Sequence, residues 1–172
     1  QAIVAQSDLP IHFHAIHAQG IPRRLSGEIF KALYQNFLGY REASLILSSI
    51  KPDVAVGTGG YVSAMALKTA QKNGIPTVVH EQNAVPGITN RILGKKARWI
   101  ASSYQESEKW FSREKIKLTG NPVRNDILHL DKKSGLQEFG LSDHIPTLLI
   151  FGGSQGALAI NRSAIEALHI LN

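Results

Sequence analysis

The sequence predicts an α/β protein in which crossover helices connect the strands of a parallel sheet. From Pro52 onward, short runs rich in β-branched residues alternate with amphipathic segments, as in strand–helix–strand units. The run in "IPTVVHEQ" is continuously apolar until its polar end, which is typical of a strand buried on both faces. A second strand–glycine–helix unit, "TLLIFGGSQGALAIN", follows a charged stretch. We therefore expect one domain over residues 1–124 and the beginning of a second over 125–172.

The first fifty residues differ from this pattern. Residues 2–24 read as short strands and loops, and the stretch "SGEIFKALYQNFLGYREASLILSSI" reads as helical, with Ser26 as its N-cap. The apolar arc of this stretch rotates at Gly39, so one bent helix and two separate helices are both possible. We assign Ile29 and Leu33 to core packing.

The remaining elements follow in chain order from Pro52. The predicted strands are "DVAVG", "IPTVVHEQ", "RWIASS", "IKLTGNPV" and "TLLIF". The predicted helices are "YVSAMALKTAQKNG", "GITNRILGKKA", "QESEKWFS", pieces around "NDILHL" and "SGLQEFG", and a last helix from "GALAIN" onward. Gly74 is expected just beyond the end of the first of these helices, at its C′ position.

Composition narrows the class of protein. The 172 residues contain no cysteine, which excludes disulfides, thiolate metal sites and thiol nucleophiles. A formal charge of +6 favours anionic partners such as phosphates or acidic lipid surfaces. No apolar run approaches the roughly 18 residues that span a bilayer. The chain neither begins with Met nor ends on a capping signal, so we expect it to be an internal piece of a longer protein.

Two glycine-rich turns precede predicted helices. In "VGTGGYVSAMAL", Gly59 and Gly60 open a helix at Tyr61, and backbone N–H groups at such a turn suit an anion. The turn matches neither the dinucleotide fingerprint nor the P-loop, which argues against NAD and ATP chemistry. "FGGSQGA" adds the hydroxyl of Ser154 and the amide of Gln155. Either these are ordinary tight turns, or they lie on two sides of a cleft that binds a phosphorylated ligand.

Polar residues follow two of the predicted strands. "HEQN" brings His80, Glu81 and Asn83 to the carboxyl end of a strand, where open α/β sheets bind ligands, although a solvated loop is the alternative. "TGNPVR" ends another strand and places Arg124 beyond a turn, where its guanidinium could bind a diphosphate or simply lie on the surface.

Two further patterns allow two interpretations each. His12 and His14 share one face of a predicted strand near His17, but without cysteines or nearby carboxylates we expect no metal there. An aromatic stripe lies beside basic residues, and it suits either a core or a face dipping into an anionic membrane interface. The stripe consists of Phe30, Tyr34, Phe37 and Tyr40.

Taken together, these segments resemble the MurG family of bacterial peptidoglycan synthesis. The match rests on "KPDVAVGTGGYVS", "GIPTVVHEQNAVPGITNRIL", "TGNPVR" and "LLIFGGSQGALAIN", in the family's order. The resemblance implies a GT-B fold, with two Rossmann-like domains facing a cleft: residues 1–124 would be part of the acceptor, membrane-side domain and residues 125–172 the beginning of the UDP-sugar donor domain. It implies inverting, metal-independent transfer of N-acetylglucosamine from its UDP donor to lipid I, which yields lipid II. No cofactor and no nucleic acid are implied, and the enzyme would bind the cytoplasmic face of the inner membrane as a peripheral protein serving cell-wall growth, shape and division.

The resemblance also assigns roles to residues. Asn83, Arg124 and Ser154 match donor-contacting positions, joined in the same motifs by Gln155. The Gly59–Tyr61 turn matches a loop thought to face the acceptor diphosphate. His80, Glu81 and Asn161 match polar positions associated with activity, and the two strand-end residues are candidates for orienting or deprotonating the acceptor. The aromatic stripe matches the region proposed to touch the membrane.

The sequence departs from the family in places. The family's first glycine-rich loop, with the histidine often proposed as base, would precede Gln1, and most of the donor domain would follow Asn172. Leu158 stands where an arginine is common. Two other functions stay open: another UDP-sugar enzyme of this fold, such as a glycolipid synthase or an epimerase, and a non-catalytic lipid- or nucleotide-binding module.

Overall fold

Four short parallel strands and the helices between them organise the amino-terminal part of the chain. The structure is a computed structural model that describes residues 10–20, 22, 27–152 and 157–171. The chain divides into two compact units, Gln1–Pro122 and Val123–Asn172. The assignment of acceptor and donor roles to the two parts of the chain stays a prediction.

The sheet of the first unit has its strands in sequence order. These strands are β1 (Ala55–Gly57), β2 (Thr77–Glu81), β3 (Trp99–Ser102) and β4 (Ile116–Leu118), all pairing in parallel. The helices of this unit are α1 (Glu28–Ile50), α2 (Gly60–Lys72), α3 (Ile88–Gly94) and a 3₁₀ helix, η1 (Gln105–Trp110). Each parallel connection thus crosses over through a helical segment, as the sequence predicts.

Burial of β2 holds the sheet together. Thr77, Val79 and Glu81 alternate along the strand and are each at most 1% exposed. Val79 packs in a core with Leu67 of α2 and Ile100 of β3, to which other helix and strand residues contribute. This interior strand is the continuous apolar run of the sequence, and its carboxyl end carries the polar residues of "HEQN" into the sheet.

Helix α1 is one continuous helix rather than two. It packs against α2 and buries Ala32, Gly39 and Ala43. Gly39 is required by space, because an added Cβ would overlap the carbonyl oxygen of His17, which crosses the helix there. The assignment of Leu33 to the core is wrong: its side chain is 51% exposed. The predicted cap Ser26 lies outside the described residues.

Several local expectations are modified. Residues 10–20 contain no strand, so His12 and His14 do not share a strand face. The predicted helix at "QESEKWFS" is 3₁₀ in form. Asn73 caps α2, which leaves Gly74 at C′ with a φ of +73°, as predicted.

The second unit contains three helices among its described residues: α4 (Asn125–Leu128), α5 (Lys132–Glu138) and α6 (Leu158–Leu171). Asp131 caps α5 by accepting hydrogen bonds from the backbone N–H groups of Lys133 and Ser134. The predicted strand "TLLIF" is wrong, because residues 147–151 form no strand and their apolar side chains are exposed. A strand is held by bonds to a neighbouring strand, and the described part of this unit offers none.

Candidate active site

The turn after β1 leaves a helix start open to ligands. Gly59 has φ +92° and ψ −175°, and Gly60 has φ +79°; side chains strongly disfavour both conformations. Gly59 is the N-cap of α2, and no side chain caps this helix. The N–H groups of the first turn, from Gly60 to Val62, are therefore presented at an exposed surface.

Glu81 is the organising group of the neighbouring loop. Its Oε1 accepts hydrogen bonds from the backbone N–H of Asn83 and from Asn83 Nδ2, both 2.9 Å long. Its Oε2 accepts from the backbone N–H of Gly87 at 3.1 Å and from Asn90 Nδ2 at 2.9 Å. Because the side chain is only 1% exposed and both oxygens accept two bonds, the carboxylate is directed into the protein. The arrangement fixes the backbone from residue 83 to 90.

His80 ties three loops together at the same edge of the sheet. Gln82 Nε2 donates to the carbonyl oxygen of Thr58 at 3.0 Å and lies 2.8 Å from His80 Nδ1. Since a carbonyl oxygen can only accept, the Gln82 amide nitrogen faces both partners, and Nδ1 is the acceptor. The ring proton then resides on Nε2, which donates to the carbonyl oxygen of Gly120 at 3.3 Å. The loops after β1, β2 and β4 are thereby linked.

Asn90 is a site residue that the sequence argument missed. Its Nδ2 donates to the carbonyl oxygen of His80 at 3.1 Å as well as to Glu81, and the side chain is 3% exposed. Its Oδ1 is buried without a hydrogen-bond partner among the described residues. An added Cβ on Gly59 would lie 3.5 Å from that oxygen, so Asn90 joins the two loops. The available signal was its place as the third residue of α3, three residues after "HEQNAVPG".

A cleft of about 780 Å³ opens between these loops. Its walls include the Gly59–Tyr61 turn, the loop from Gln82 to Gly87, and Gln19 and Asn36 from the side of α1. Asn83 and Tyr61 are exposed at its surface, whereas the buried Glu81 side chain accepts hydrogen bonds only from inside the protein. The structure thus brings five predicted residues of the first unit together: Gly59, Gly60, Tyr61, Glu81 and Asn83.

Four predicted substrate-binding residues belong to the second unit: Arg124, Ser154, Gln155 and Asn161. Arg124 is exposed, and its Nε lies 3.4 Å from Asp126 Oδ1. Asn161 is exposed on α6, and Leu158 is the first residue of that helix. Ser154 and Gln155 lie outside the described residues, so their predicted roles stay predictions.

The aromatic stripe is largely exposed. Phe30 is 78%, Tyr34 60% and Phe37 56% exposed, while Tyr40 is half-buried with Lys72 Nζ 5.4 Å from its ring centroid. Phe37 and Tyr40 line an apolar groove of about 830 Å³ between α1 and α2. Four lysines border this groove: Lys68, Lys72, Lys95 and Lys96.

Neither a metal site nor a membrane-crossing helix is found in the described residues. Across residues 10–20, 22, 27–152 and 157–171, no three histidine or carboxylate side chains gather closely enough to hold a metal ion. None of the helices in that same part of the chain has the length and apolarity that crossing a bilayer requires.

Comparison with known proteins identifies the family. Residues 1–102 match the model of the glycosyltransferase family 28 N-terminal domain. The chain belongs to this family. The match covers α1, the turn after β1 and "HEQN", and every residue that lines the cleft described above lies within the matched region.

Two similar proteins carry a more specific name. The chain is 45% identical over 167 residues to a Desulforamulus reducens protein and 41% identical over 169 residues to a Bacillus subtilis protein. Both relatives bear the name UDP-N-acetylglucosamine–N-acetylmuramyl-(pentapeptide) pyrophosphoryl-undecaprenol N-acetylglucosamine transferase. These matches cover 96% and 98% of this chain but only 44% and 46% of the relatives, so the chain spans less than half their length.

A solved structure supports the same fold. The crystal structure of Acinetobacter baumannii MurG matches 72% of this chain and 34% of its own, with a TM-score of 0.53 and 27% sequence identity. The resemblance to the MurG family is confirmed, as is the predicted α/β fold of GT-B type with a parallel sheet and flanking helices.

Proposed function

We propose that this chain forms part of an N-acetylglucosaminyltransferase that transfers the sugar from UDP-N-acetylglucosamine to lipid I, forming lipid II. The observation that carries the proposal is the cleft at the carboxyl ends of β1 and β2, where an uncapped helix start faces a loop held by a buried carboxylate. The relatives' names supply the reaction, and the cleft has the chemistry that a diphosphate acceptor requires.

The acceptor side of the reaction falls to the Gly59–Tyr61 turn. Glycines at positions 59 and 60 let the backbone approach an anion closely, and the N–H groups of α2 can donate to diphosphate oxygens. Tyr61 adds a hydroxyl at the mouth of the cleft. This turn would bind the diphosphate of lipid I.

The donor contacts are proposed residue by residue, on the motif positions that the MurG resemblance assigns. Asn83 is exposed and commits its Nδ2 to Glu81, which leaves its Oδ1 for a ligand. Arg124 supplies a cation that can stabilise the negative charge of the departing UDP without a metal. Ser154, Gln155 and Asn161 would complete the contacts to the donor.

The geometry favours positioning roles for the two strand-end residues. Both Glu81 oxygens and both His80 ring nitrogens have hydrogen-bond partners inside the protein. A general base needs a free lone pair within reach of the acceptor hydroxyl. We therefore assign Glu81 and His80 to holding the cleft in shape, and the base to another group.

The proposal includes membrane association, which the stripe and its groove support. Exposed aromatic rings beside a lysine-bordered apolar groove suit an anionic bilayer surface, into which Phe30 and Phe37 would insert. This is the arrangement expected of a peripheral enzyme whose acceptor carries a lipid chain, at the cytoplasmic face of the inner membrane.

The decisive experiment measures transfer of labelled N-acetylglucosamine from its UDP donor to a lipid I analogue by the full-length protein. Product carrying one added sugar, formed in the presence of a chelator, supports the proposal. Conversion of the UDP-sugar without any acceptor would indicate an epimerase instead. Transfer to a different glycolipid would indicate another glycosyltransferase, and binding without turnover a non-catalytic module.

A further inference from the structure

The segment from His17 to Gly20 lies across α1 and ends against Tyr61. His17 is held at two points by one carboxylate: its backbone N–H donates to Glu42 Oε2 at 2.7 Å, and its Nδ1 lies 2.6 Å from Glu42 Oε1. The carbonyl oxygen of His17 fits over Gly39, the one place on the helix surface without a side chain in its way. The position of the segment along α1 is therefore fixed.

A second clamp fixes the other end of this segment. The backbone N–H of Gln19 donates to Asn36 Oδ1 at 3.0 Å, and Asn36 Nδ2 donates to the carbonyl oxygen of Gln19 at 2.9 Å. The Asn36 amide thus pairs with the backbone as a neighbouring strand would. Both residues line the cleft, so this clamp lies on its wall.

Gly20, the next residue, touches the ring of Tyr61. A Cβ added at Gly20 would lie 2.6 Å from Tyr61 Cζ and 2.8 Å from its hydroxyl oxygen. The φ of Gly20 lies outside the left-handed region, so the backbone does not require glycine there. The available space does require glycine, because the ring tip of Tyr61 occupies the volume that any side chain at position 20 would fill.

We propose that Gly20, held in place by Asn36, is a positioning residue that sets where the Tyr61 hydroxyl lies at the mouth of the cleft. The inference rests on the proposed function, since Tyr61 belongs to the turn assigned to the acceptor. A Cβ at position 20 must push the ring tip by about 1 Å to restore a carbon–carbon contact of about 3.5 Å. Displacements of about 1 Å in a substrate-positioning group can cost up to about a hundredfold in rate.

The test is Gly20→Ala in the full-length enzyme, with Gly27→Ala as the matched control. Gly27 has a helical φ of −56° and nothing within 4 Å of an added Cβ, so the control adds the same methyl group without a contact. We expect Gly20→Ala to lower kcat/KM for the lipid I analogue by about tenfold to a hundredfold. The KM for the UDP donor should change by less than about twofold. In a Tyr61→Ala background, Gly20→Ala should have no further effect, because the ring it displaces is gone.

A spectroscopic readout tests the contact without activity. Fluorine-labelled tyrosine gives one signal per ring, and Tyr61→Phe identifies the signal of interest. Gly20→Ala should move that signal and Gly27→Ala should not; an unmoved signal would mean that the ring does not contact Gly20. A moved signal with an unchanged kcat/KM for the lipid I analogue, in an active enzyme, would overturn the positioning role alone. If the wild-type protein transfers no sugar, the proposed function and this role both fail, whatever the fluorine signal does.

Discussion

Replacing Glu81 with glutamine removes the charge and one acceptor from a side chain whose two oxygens accept four hydrogen bonds. The new amide can adopt two orientations. Its nitrogen cannot face Gly87 and Asn90, because Asn90 Nδ2 also donates to the His80 carbonyl oxygen and cannot turn away. It will therefore face Asn83, which is exposed and free to reverse its own amide.

The cost of the substitution follows from this orientation. When the Asn83 amide reverses, its Oδ1 accepts a hydrogen bond from the new glutamine nitrogen, so one of the two bonds to Asn83 is restored. The backbone N–H of Asn83 is then the donor that loses its acceptor. A hydrogen bond to a charged group contributes about 1.5–3 kcal/mol, so we expect Glu81→Gln to lower the free energy of unfolding by about that amount. Weaker bonds from the remaining donors add to the loss, and the easier burial of a neutral amide offsets part of it.

The same reversal has a consequence for catalysis. It turns the Asn83 NH₂ group outward in place of Oδ1, so the KM for the UDP donor should rise several-fold with a smaller change in kcat. A general base would behave in the opposite way, since its loss lowers kcat by about 10²–10⁴-fold without requiring a loss of stability.

The assay pairs denaturant unfolding with steady-state kinetics. The free energy of unfolding is taken from the urea midpoint and slope of Glu81→Gln, with Glu106→Gln as an exposed control that removes one charge elsewhere. Unchanged stability together with a large fall in kcat would refute the positioning role and restore Glu81 as a base. Unchanged stability and unchanged kinetics would mean that the four bonds do not organise the loop.

Three further predictions concern other parts of the chain. Phe30→Ser combined with Phe37→Ser should weaken binding to anionic vesicles in a sedimentation assay, because both rings are exposed on α1. Arg124→Ala should raise the donor KM or lower kcat by at least about tenfold in the full-length enzyme, since hydrogen bonds to charged groups contribute about 1.5–3 kcal/mol. The backbone N–H and side chain of His17 hold the pKa of Glu42 below its ordinary value. The contribution of this contact to stability is therefore complete above the ordinary glutamate pKa and is lost as the pH falls through the lowered one. Urea unfolding across that window should show a steeper loss in the wild type than in Glu42→Gln.

Each of these has its own control and contrary outcome. For the vesicle experiment, circular dichroism must show an intact helix; equal binding, or unfolding, would return the two rings to a packing role. For Arg124, Arg113→Ala removes another exposed arginine, and identical kinetics in both variants would take Arg124 out of the donor site. For Glu42, parallel pH curves in wild type and variant would mean that the His17 contact does not contribute in solution.

The fold was predictable where one periodic signal dominated. The apolar run from Ile75 to Val79 correctly predicted an interior strand, and Gly74 correctly predicted the end of the preceding helix. Both signals depend on local chemistry alone. The run at 147–151 carries the same signal but no strand, since strand formation depends on a partner that local sequence does not report. The wrong placement of Leu33 has a similar origin: an apolar helix face indicates burial only if something covers it.

The site was predictable as a location but not as an arrangement. The order of elements brings "HEQN" to the carboxyl end of β2, and that part followed from the sequence. Which polar side chain turns inward was not predicted. The alternation of side chains along a strand does indicate it, because Glu81 lies on the same buried face as Thr77 and Val79. Asn36 and Gly20 could not be anticipated, because their roles arise from a segment that crosses a helix, a contact without a sequence motif.

The charge balance of the cleft explains why Glu81 must be buried and fully bonded. It is the only charged residue among the described residues that line the cleft, and both proposed substrates carry diphosphates. A carboxylate with lone pairs facing the cleft would repel them, whereas one whose oxygens accept four internal bonds holds the loop without presenting its own oxygens. The donors left to face the cleft are the N–H groups at the uncapped start of α2, which select an anion by direction rather than by net charge. It follows that acceptor binding at this turn should weaken only modestly with added salt, unlike a site built from lysines, and a steep salt dependence of the acceptor KM would contradict this account.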